Sequence, residues 1–192
     1  MAADLKLNLG SGDKRIPGFV NVDYSPECNP DIVMDFEVFP WKFESNSVSH
    51  VIMHHVLEHI GQTPRSFMRI MQELYRICKN NAQIDIAIPH HAHDHFYSDP
   101  THVRPITALT LSLFDKELNL AWRAEGLANS PLALQCGVDF QLTRIHDIFD
   151  SEAMADLELL KQKDPLLHTL FMKYGRNMIA ETQFELRVIK GD

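Results

Sequence analysis

The chain has little of what marks several large functional classes. Cysteine occurs three times in 192 residues, at Cys28, Cys78 and Cys136. That odd count, without a CxxC pair or zinc-ribbon spacing, gives no disulfide framework and reads as the reduced thiols of a cytoplasmic protein. Positive charge is outnumbered: 18 Lys and Arg against 26 Asp and Glu give a formal net charge of -8. A protein that neutralises many phosphates needs a basic stripe, so neither nucleic acid nor an anionic membrane is an expected partner. No run approaches the roughly 20 apolar residues of a membrane span, and the opening Met1-Ala-Ala-Asp-Leu-Lys6 has no apolar leader core. Internal repeats, low-complexity tracts and Gly/Ser linkers are missing too. With 45% hydrophobic and 23% charged residues, the composition is that of an ordinary globular chain, read as one domain over residues 1–192. Nothing in it fixes an oligomeric state.

What is present is an alternation of strand and helix signals. Leu5–Leu9 alternates apolar and polar residues and runs into Gly10-Ser11-Gly12, a strand that ends in a glycine turn. Phe19–Val22, Asp31–Met34 and Val48–Met53 read as further short strands, the first two closed by Asp23 and Asp35. Thr63-Pro64 is a helix start, because Thr caps and Pro suits the first turn. Phe67, Ile70, Met71, Leu74 and Ile77 then fall on one helix face, and Asn80-Asn81 is expected to stop it. Gln83–Ile88 is a fifth strand. Residues 90–104 form a polar loop, Pro105–Leu118 reads as helical, and Val138–Ile145 alternates as a strand. Ser151 opens a helix to about Lys173, with a break at Pro165, and Thr182–Lys190 closes the chain as a strand. Such alternation requires crossovers between parallel strands. The expectation is an α/β fold: a doubly wound, mostly parallel, seven-stranded Rossmann-like sheet ending in an antiparallel strand pair.

The ordered set Leu7-Asn-Leu-Gly-Ser-Gly12, Ile16-Pro-Gly-Phe-Val-Asn-Val-Asp23 and Pro30-Asp-Ile-Val-Met-Asp35 resembles the class I S-adenosylmethionine-dependent methyltransferases. Phe39–Phe43, His55-Val-Leu-Glu-His59, Pro89-His-His91 and Asp99-Pro-Thr-His-Val-Arg104 extend the likeness to the short "methyltransferase type 11" group. It covers roughly residues 5–104. The resemblance implies S-adenosyl-L-methionine as cofactor, S-adenosyl-L-homocysteine as product, and methyl transfer to an oxygen or nitrogen of a small-molecule acceptor. It implies a cofactor site built from Leu9, Gly10, Ser11, Gly12, Asp23, Asp35, Phe36 and His54. Asp23 would take the ribose hydroxyls and Asp35 the adenine amino group, with Phe36 beside the ring. All these positions belong at the carboxyl edge of the sheet. The sequence also departs from the pattern. Asp13-Lys14 stands where a third glycine is usual, and the eleven positions from Gly12 to Asp23 are too few for a full crossover helix. That first helix is therefore expected to be one turn or absent.

The catalytic candidates are His55 and His91, since an imidazole suits proton removal from an acceptor at neutral pH. Glu58 and His59 read as structural residues that start or cap the turn after the fourth strand, and Trp41 and Phe43 as packing residues. His90, His91, His93, His95 and His102 crowd a single loop, and imidazole is a common ligand of zinc, iron or nickel. The preferred reading of that loop is an acceptor lid rather than a metal site. The 105–135 and 151–175 segments are candidate caps on the acceptor side, and the acceptor pocket is expected between residues 90–104 and the 105–135 segment, whose composition includes Leu111, Leu113, Phe114 and Trp122. Two alternatives stand beside the enzyme: a histidine-loop metalloenzyme on the same sheet, and a non-catalytic cofactor-binding partner subunit.

Overall fold

A computed structural model describes residues 4–191. Seven strands form one sheet: β1 (Leu5–Leu9), β2 (Val20–Asp23), β3 (Ile32–Val33), β4 (Val48–His54), β5 (Cys78–Pro89), β6 (Phe140–Phe149) and β7 (Ile179–Val188). Their order across the sheet is β3-β2-β1-β4-β5-β7-β6. The first five neighbours pair in parallel, while β7 runs antiparallel to both β5 and β6. The expected Rossmann-like sheet with its closing antiparallel pair is present. The helix between β1 and β2 is absent as expected, and turns over residues 10–19 take its place.

Helix α1 (Pro64–Ile77) begins as its sequence dictates, with Thr63 Oγ1 accepting the Ser66 amide at 3.1 Å. Phe67, Ile70, Met71, Leu74 and Ile77 are its buried face. They meet Leu7, Leu9, Val51, Met53, Ile84 and Ile86 in one continuous core, where full burial of each large apolar side chain is worth roughly 1.5–3 kcal/mol. The Asn80-Asn81 stop is misplaced: α1 ends at Ile77 and β5 starts at Cys78. The two asparagines lie within β5 where its register against β4 slips, and Asn81 takes φ 62°, a conformation Asn tolerates better than most residues.

The stretch read as one helix from Pro105 is two, α3 (Ala108–Ser112) and α4 (Lys116–Ala124). Asp115 separates them because its carboxylate caps α4 by accepting the Leu118 amide at 2.9 Å. Two short helices lay outside the sequence reading: α2 (Asp94–Ser98), inside the expected loop, and α5 (Leu132–Cys136). The 151–175 segment is two helices, α6 (Ser151–Lys163) and α7 (Pro165–Tyr174), broken at Pro165 as expected. Leu111 and Phe114, in the segment expected to border the acceptor pocket, are fully buried in the main core, with Phe114 edge-on to Phe67 at 6.0 Å. Among the described residues no helix is long and apolar enough to cross a membrane.

Alternation along the strands gives the sheet one apolar and one polar face. Ile84, Ile86, Phe184 and Leu186 are buried, whereas their neighbours Gln83, Asp85, Gln183 and Glu185 are only half-buried. His50 Nε2 meets Asp85 Oδ2 at 2.7 Å on the polar face. Parallel sheets are usually covered on both sides and read as continuous apolar runs. Here the polar alternation of β4 and β5 accompanies the missing crossover helix.

Candidate functional site

A cleft of about 870 Å³ opens at the carboxyl ends of β1, β2 and β4. Gly10, Gly12, Asp23, Asp35, Phe36 and His55 all line it, so the structure unites most of the residues expected there. The Gly10 and Ser11 amides both donate to Val22 O, at 2.8 and 3.1 Å. Those bonds fold the glycine turn back onto β2. Asp23 completes the fold, because its Oδ2 accepts the Gly12 amide at 2.7 Å and its Oδ1 the Ser25 amide at 2.9 Å. The residue assigned to the cofactor therefore also holds the turn that would cradle it.

The two glycines are required for different reasons. Gly10 has φ 68°, and a Cβ there would stand 2.2 Å from Val56 Cγ2. Its constraint is packing against Val56, not ligand approach. Gly12 has φ 49°, and a Cβ there meets no protein atom within 4 Å. Leu9 and Ser11 contribute backbone only: Leu9 is fully buried in the core and Ser11 is buried with its hydroxyl turned to Gly12 O.

Phe36 is buried, and Trp41 Nε1 donates to its carbonyl at 3.0 Å. Trp41 is itself fixed to α1, since its amide donates to Glu73 Oε2 at 2.7 Å and Arg76 binds its carbonyl. Asp35 is exposed, with Oδ1 accepting the Glu37 amide at 2.8 Å. Glu37, which the sequence reading missed, ties two walls of the cleft by accepting from the Gly61 amide and the Ser66 hydroxyl. Those hydrogen bonds, the Ser66 one foremost, hold its carboxyl below the usual range. Arg104 fastens the same corner by donating to Gly61 O at 2.7 Å over the Phe67 ring.

His55 adopts φ 56°, a left-handed backbone in a non-glycine residue at the end of β4. Its Nε2 lies 2.9 Å from Glu181 Oε2 and its Nδ1 3.5 Å from Glu58 Oε1. The Glu58 carboxylate, with Glu181 opposite, holds the imidazole pKa above its ordinary value although burial acts the other way. His55 stands between the cleft and an adjoining cavity of about 540 Å³, lined also by Glu58, His59, His95, His102 and Glu181.

Two assignments do not fit the cleft. His54 lines a shallow depression on the polar face of the sheet with Gln83, Asp85 and Gln183. Successive strand residues point to opposite faces, so His54 and His55 cannot both face the cofactor site, and that alternation was the available signal. His91 lines a separate cavity with Ile106, Thr107 and Ile145, not the cleft. The histidine-rich segment is largely self-organising. His90 Nδ1 accepts the Ala92 amide at 3.2 Å, and His93 Nδ1 accepts the His95 amide at 3.0 Å to cap α2. Thr101 alone carries that segment to the cleft wall.

Neither a protein-family model nor a curated protein sequence matches the chain. Solved structures do. A SAM-dependent methyltransferase from Archaeoglobus fulgidus superposes with a TM-score of 0.64 at 14% identity, over 97% of this chain and 86% of that one. The [4+2]-cyclase SpnF superposes at 0.52 and 13% identity, over 97% and 75%. Phosphoethanolamine N-methyltransferase 2 from Haemonchus contortus, in complex with phosphomonomethylethanolamine and S-adenosylhomocysteine, gives 0.54 and 15% identity, over 98% and 49%. At such identities the likeness is one of fold, and a cyclase shares it. The strand order with its single antiparallel strand, the glycine turn and the cleft agree with it: this chain has the Rossmann-like fold of the class I S-adenosylmethionine-dependent methyltransferases.

Proposed function

We propose that this protein transfers a methyl group from S-adenosyl-L-methionine to an oxygen or nitrogen of a small-molecule acceptor and releases S-adenosyl-L-homocysteine. The observation that carries the reading is the cleft, which brings Gly12, Asp23, Asp35 and Phe36 together at the carboxyl edge of the sheet. Its volume of about 870 Å³ is of the size that encloses a nucleoside-bearing ligand. The open space beside Gly12 is the cradle that a side chain would fill. The cofactor, when bound, supplies an electrophilic methyl on a sulfonium and a neutral thioether as leaving group.

The chain's own residues then have separable tasks. Each Asp23 oxygen accepts one backbone N–H and keeps a lone pair for a ribose hydroxyl. Phe36 offers an apolar wall, and the Asp35 oxygen not engaged by Glu37 can accept from an amino group. Methyl transfer needs alignment above all, because the leaving group is already activated. The rigid turn and the clamps at Glu37, Trp41 and Arg104 supply a fixed frame. His55 stands at the boundary of the cleft and the adjoining cavity, and an acceptor O–H or N–H that displaces Glu181 from its Nε2 can give its proton there, with Glu58 behind Nδ1. The adjoining cavity, rather than the 105–135 segment, is then the acceptor chamber. Three free thiols suit a reducing, cytoplasmic setting.

Titration calorimetry with S-adenosylhomocysteine tests the reading. One site is expected, with the native state gaining ~2.7 kcal/mol at a hundred times the dissociation constant. Asp23→Asn retains an acceptor for the turn but loses the charge, and about a tenfold weaker affinity is expected for a hydrogen bond to a charged group. Undiminished affinity in Asp23→Asn removes the ribose assignment. Binding without methyl transfer across a broad acceptor screen favours the partner-subunit alternative.

A further inference from the structure

Glu58 is fully buried, yet neither of its carboxylate oxygens has a hydrogen-bond partner; among the described residues they are the buried side-chain polar atoms left so. An orphaned buried carboxylate is costly and calls for an explanation. His55 Nδ1 stands 3.5 Å from its Oε1 without making a hydrogen bond, and two further imidazoles lie close: one ligand atom from each of Glu58, His59 and His102 lies within 4.8 Å of the others. We propose that Glu58, His59 and His102 form a binding site for a late first-row divalent cation of the zinc class, at the junction of the cleft and the adjoining cavity.

The hydrogen bonds around the two histidines leave the same nitrogen available on each. His102 Nδ1 lies 2.7 Å from Phe96 O, and a carbonyl only accepts, so Nδ1 carries the proton and Nε2 keeps its lone pair. Thr101 Oγ1 donates its one proton to Asp99 Oδ1 at 2.7 Å. It therefore accepts from His59 Nδ1 at 2.8 Å, which again leaves Nε2 free. An acceptor on the nitrogen away from the ion is the arrangement that fixes a metal-binding tautomer. The His102 side chain is 6% exposed and stacks edge-on against His59, with ring centroids 4.6 Å apart.

Zinc bonds of about 2.0–2.2 Å at tetrahedral angles hold two ligand atoms on one ion roughly 3.3–3.6 Å apart. From separations of up to 4.8 Å, ion binding would draw the set together by about 1 Å, with the partly exposed His59 ring the freest to move. Two imidazoles and one carboxylate suit zinc, cobalt, nickel or ferrous iron far better than magnesium or calcium, which take oxygen ligands. Three protein ligands leave a coordination position for water or an acceptor oxygen, and the 540 Å³ cavity opens onto it. Asp99, with Oδ2 3.9 Å from His102 Nε2, and Glu181 across the cavity add negative charge that favours a cation. The site uses neither His91 nor the His-x-His run of residues 91–95. It stands independently of the methyl-transfer reading.

The test is calorimetric titration of chelator-treated, full-length protein with zinc chloride, with cobalt(II) absorption as a second readout. One ion per chain is expected, with visible bands from cobalt bound by nitrogen. Glu58→Gln and His102→Ala should each weaken zinc by more than a hundredfold, and Thr101→Val, which removes the support behind His59, by about 10–100-fold. His91→Ala should bind zinc as the parent does. Circular dichroism and thermal melts establish that each variant is folded, so a failed fold is not read as a lost ligand. Absence of zinc and cobalt binding by the parent overturns the site. So does undiminished binding in folded Glu58→Gln and His102→Ala, or loss of binding in His91→Ala, which would move the ion to the histidine loop.

Discussion

At residue scale, Gly10 and Gly12 look alike in the sequence but answer to different neighbours. Gly10→Ala places a methyl group against Val56 on a left-handed backbone. It should destabilise the protein by ~1–3 kcal/mol, as overpacking does, and Val56→Ala in the same chain should restore part of the loss in thermal melts. Gly12→Asn should fold nearly as well, since Asn tolerates positive φ. Its side chain enters the open cleft, so calorimetry should show S-adenosylhomocysteine binding lost. Asp31 provides the pH test. It accepts hydrogen bonds from the Asn21 backbone and side chain and from Arg15, and its carboxyl is lowered to about 2 from an ordinary 3.8. A folded pKa below the unfolded one stabilises the protein above pH ~4 and stops doing so as pH falls through about 2. A carboxyl NMR titration should therefore place Asp31 near 2; an ordinary midpoint near 3.8 would mean that the Asn21 and Arg15 contacts do not form in solution.

At the scale of elements, local signals were the most legible. Thr63-Pro64 marked the start of α1 because the cap and the first turn are set by adjacent residues. Thr63→Ala should cost ~1 kcal/mol in denaturant unfolding, the usual worth of such a cap. The end of α1 was read at Asn80-Asn81, but Cys78 is already in β5 and buried, pairing with Val48. That pairing is tertiary, and no local residue announces it. Burial pushes the Cys78 thiol up to about 12. Iodoacetamide at pH 8 should thus leave Cys78 unmodified in the folded protein, while Cys28, also raised by burial and Asp23 but accessible in the cleft wall, reacts slowly and is protected by S-adenosylhomocysteine. Mass spectrometry of the labelled peptides decides it, and equal labelling of Cys78 and Cys28 in folded protein would contradict the burial. In residues 90–104 the spacing of the histidines says nothing about which nitrogen the backbone uses. His90 and His93 spend theirs on amides two residues ahead.

At the scale of the molecule, the cofactor side of the site was readable and the acceptor side was not. Gly12, Asp23 and Asp35 each lie at or just past the end of a strand, so strand order alone brings them to one edge of the sheet. The chamber around Glu58 is assembled from residues 55–59, 95–102 and 180–181, segments whose meeting depends on the antiparallel pairing of β7 with β5. Glu58 therefore read as a turn residue, and the full burial of its carboxylate was invisible. His91 was read at the cleft because it follows β5, yet the chain carries it to the cavity beside Ile106. The cleft at the carboxyl ends of β1, β2 and β4 is the proposed cofactor site, and a crystal structure of the protein grown with S-adenosylhomocysteine tests that most directly. The predicted result is ligand density against Gly12, with the ribose on Asp23 and the adenine beside Phe36 and Asp35. Ligand density in the His91–Ile106 cavity or on the polar sheet face, with the cleft free of it, would contradict the account.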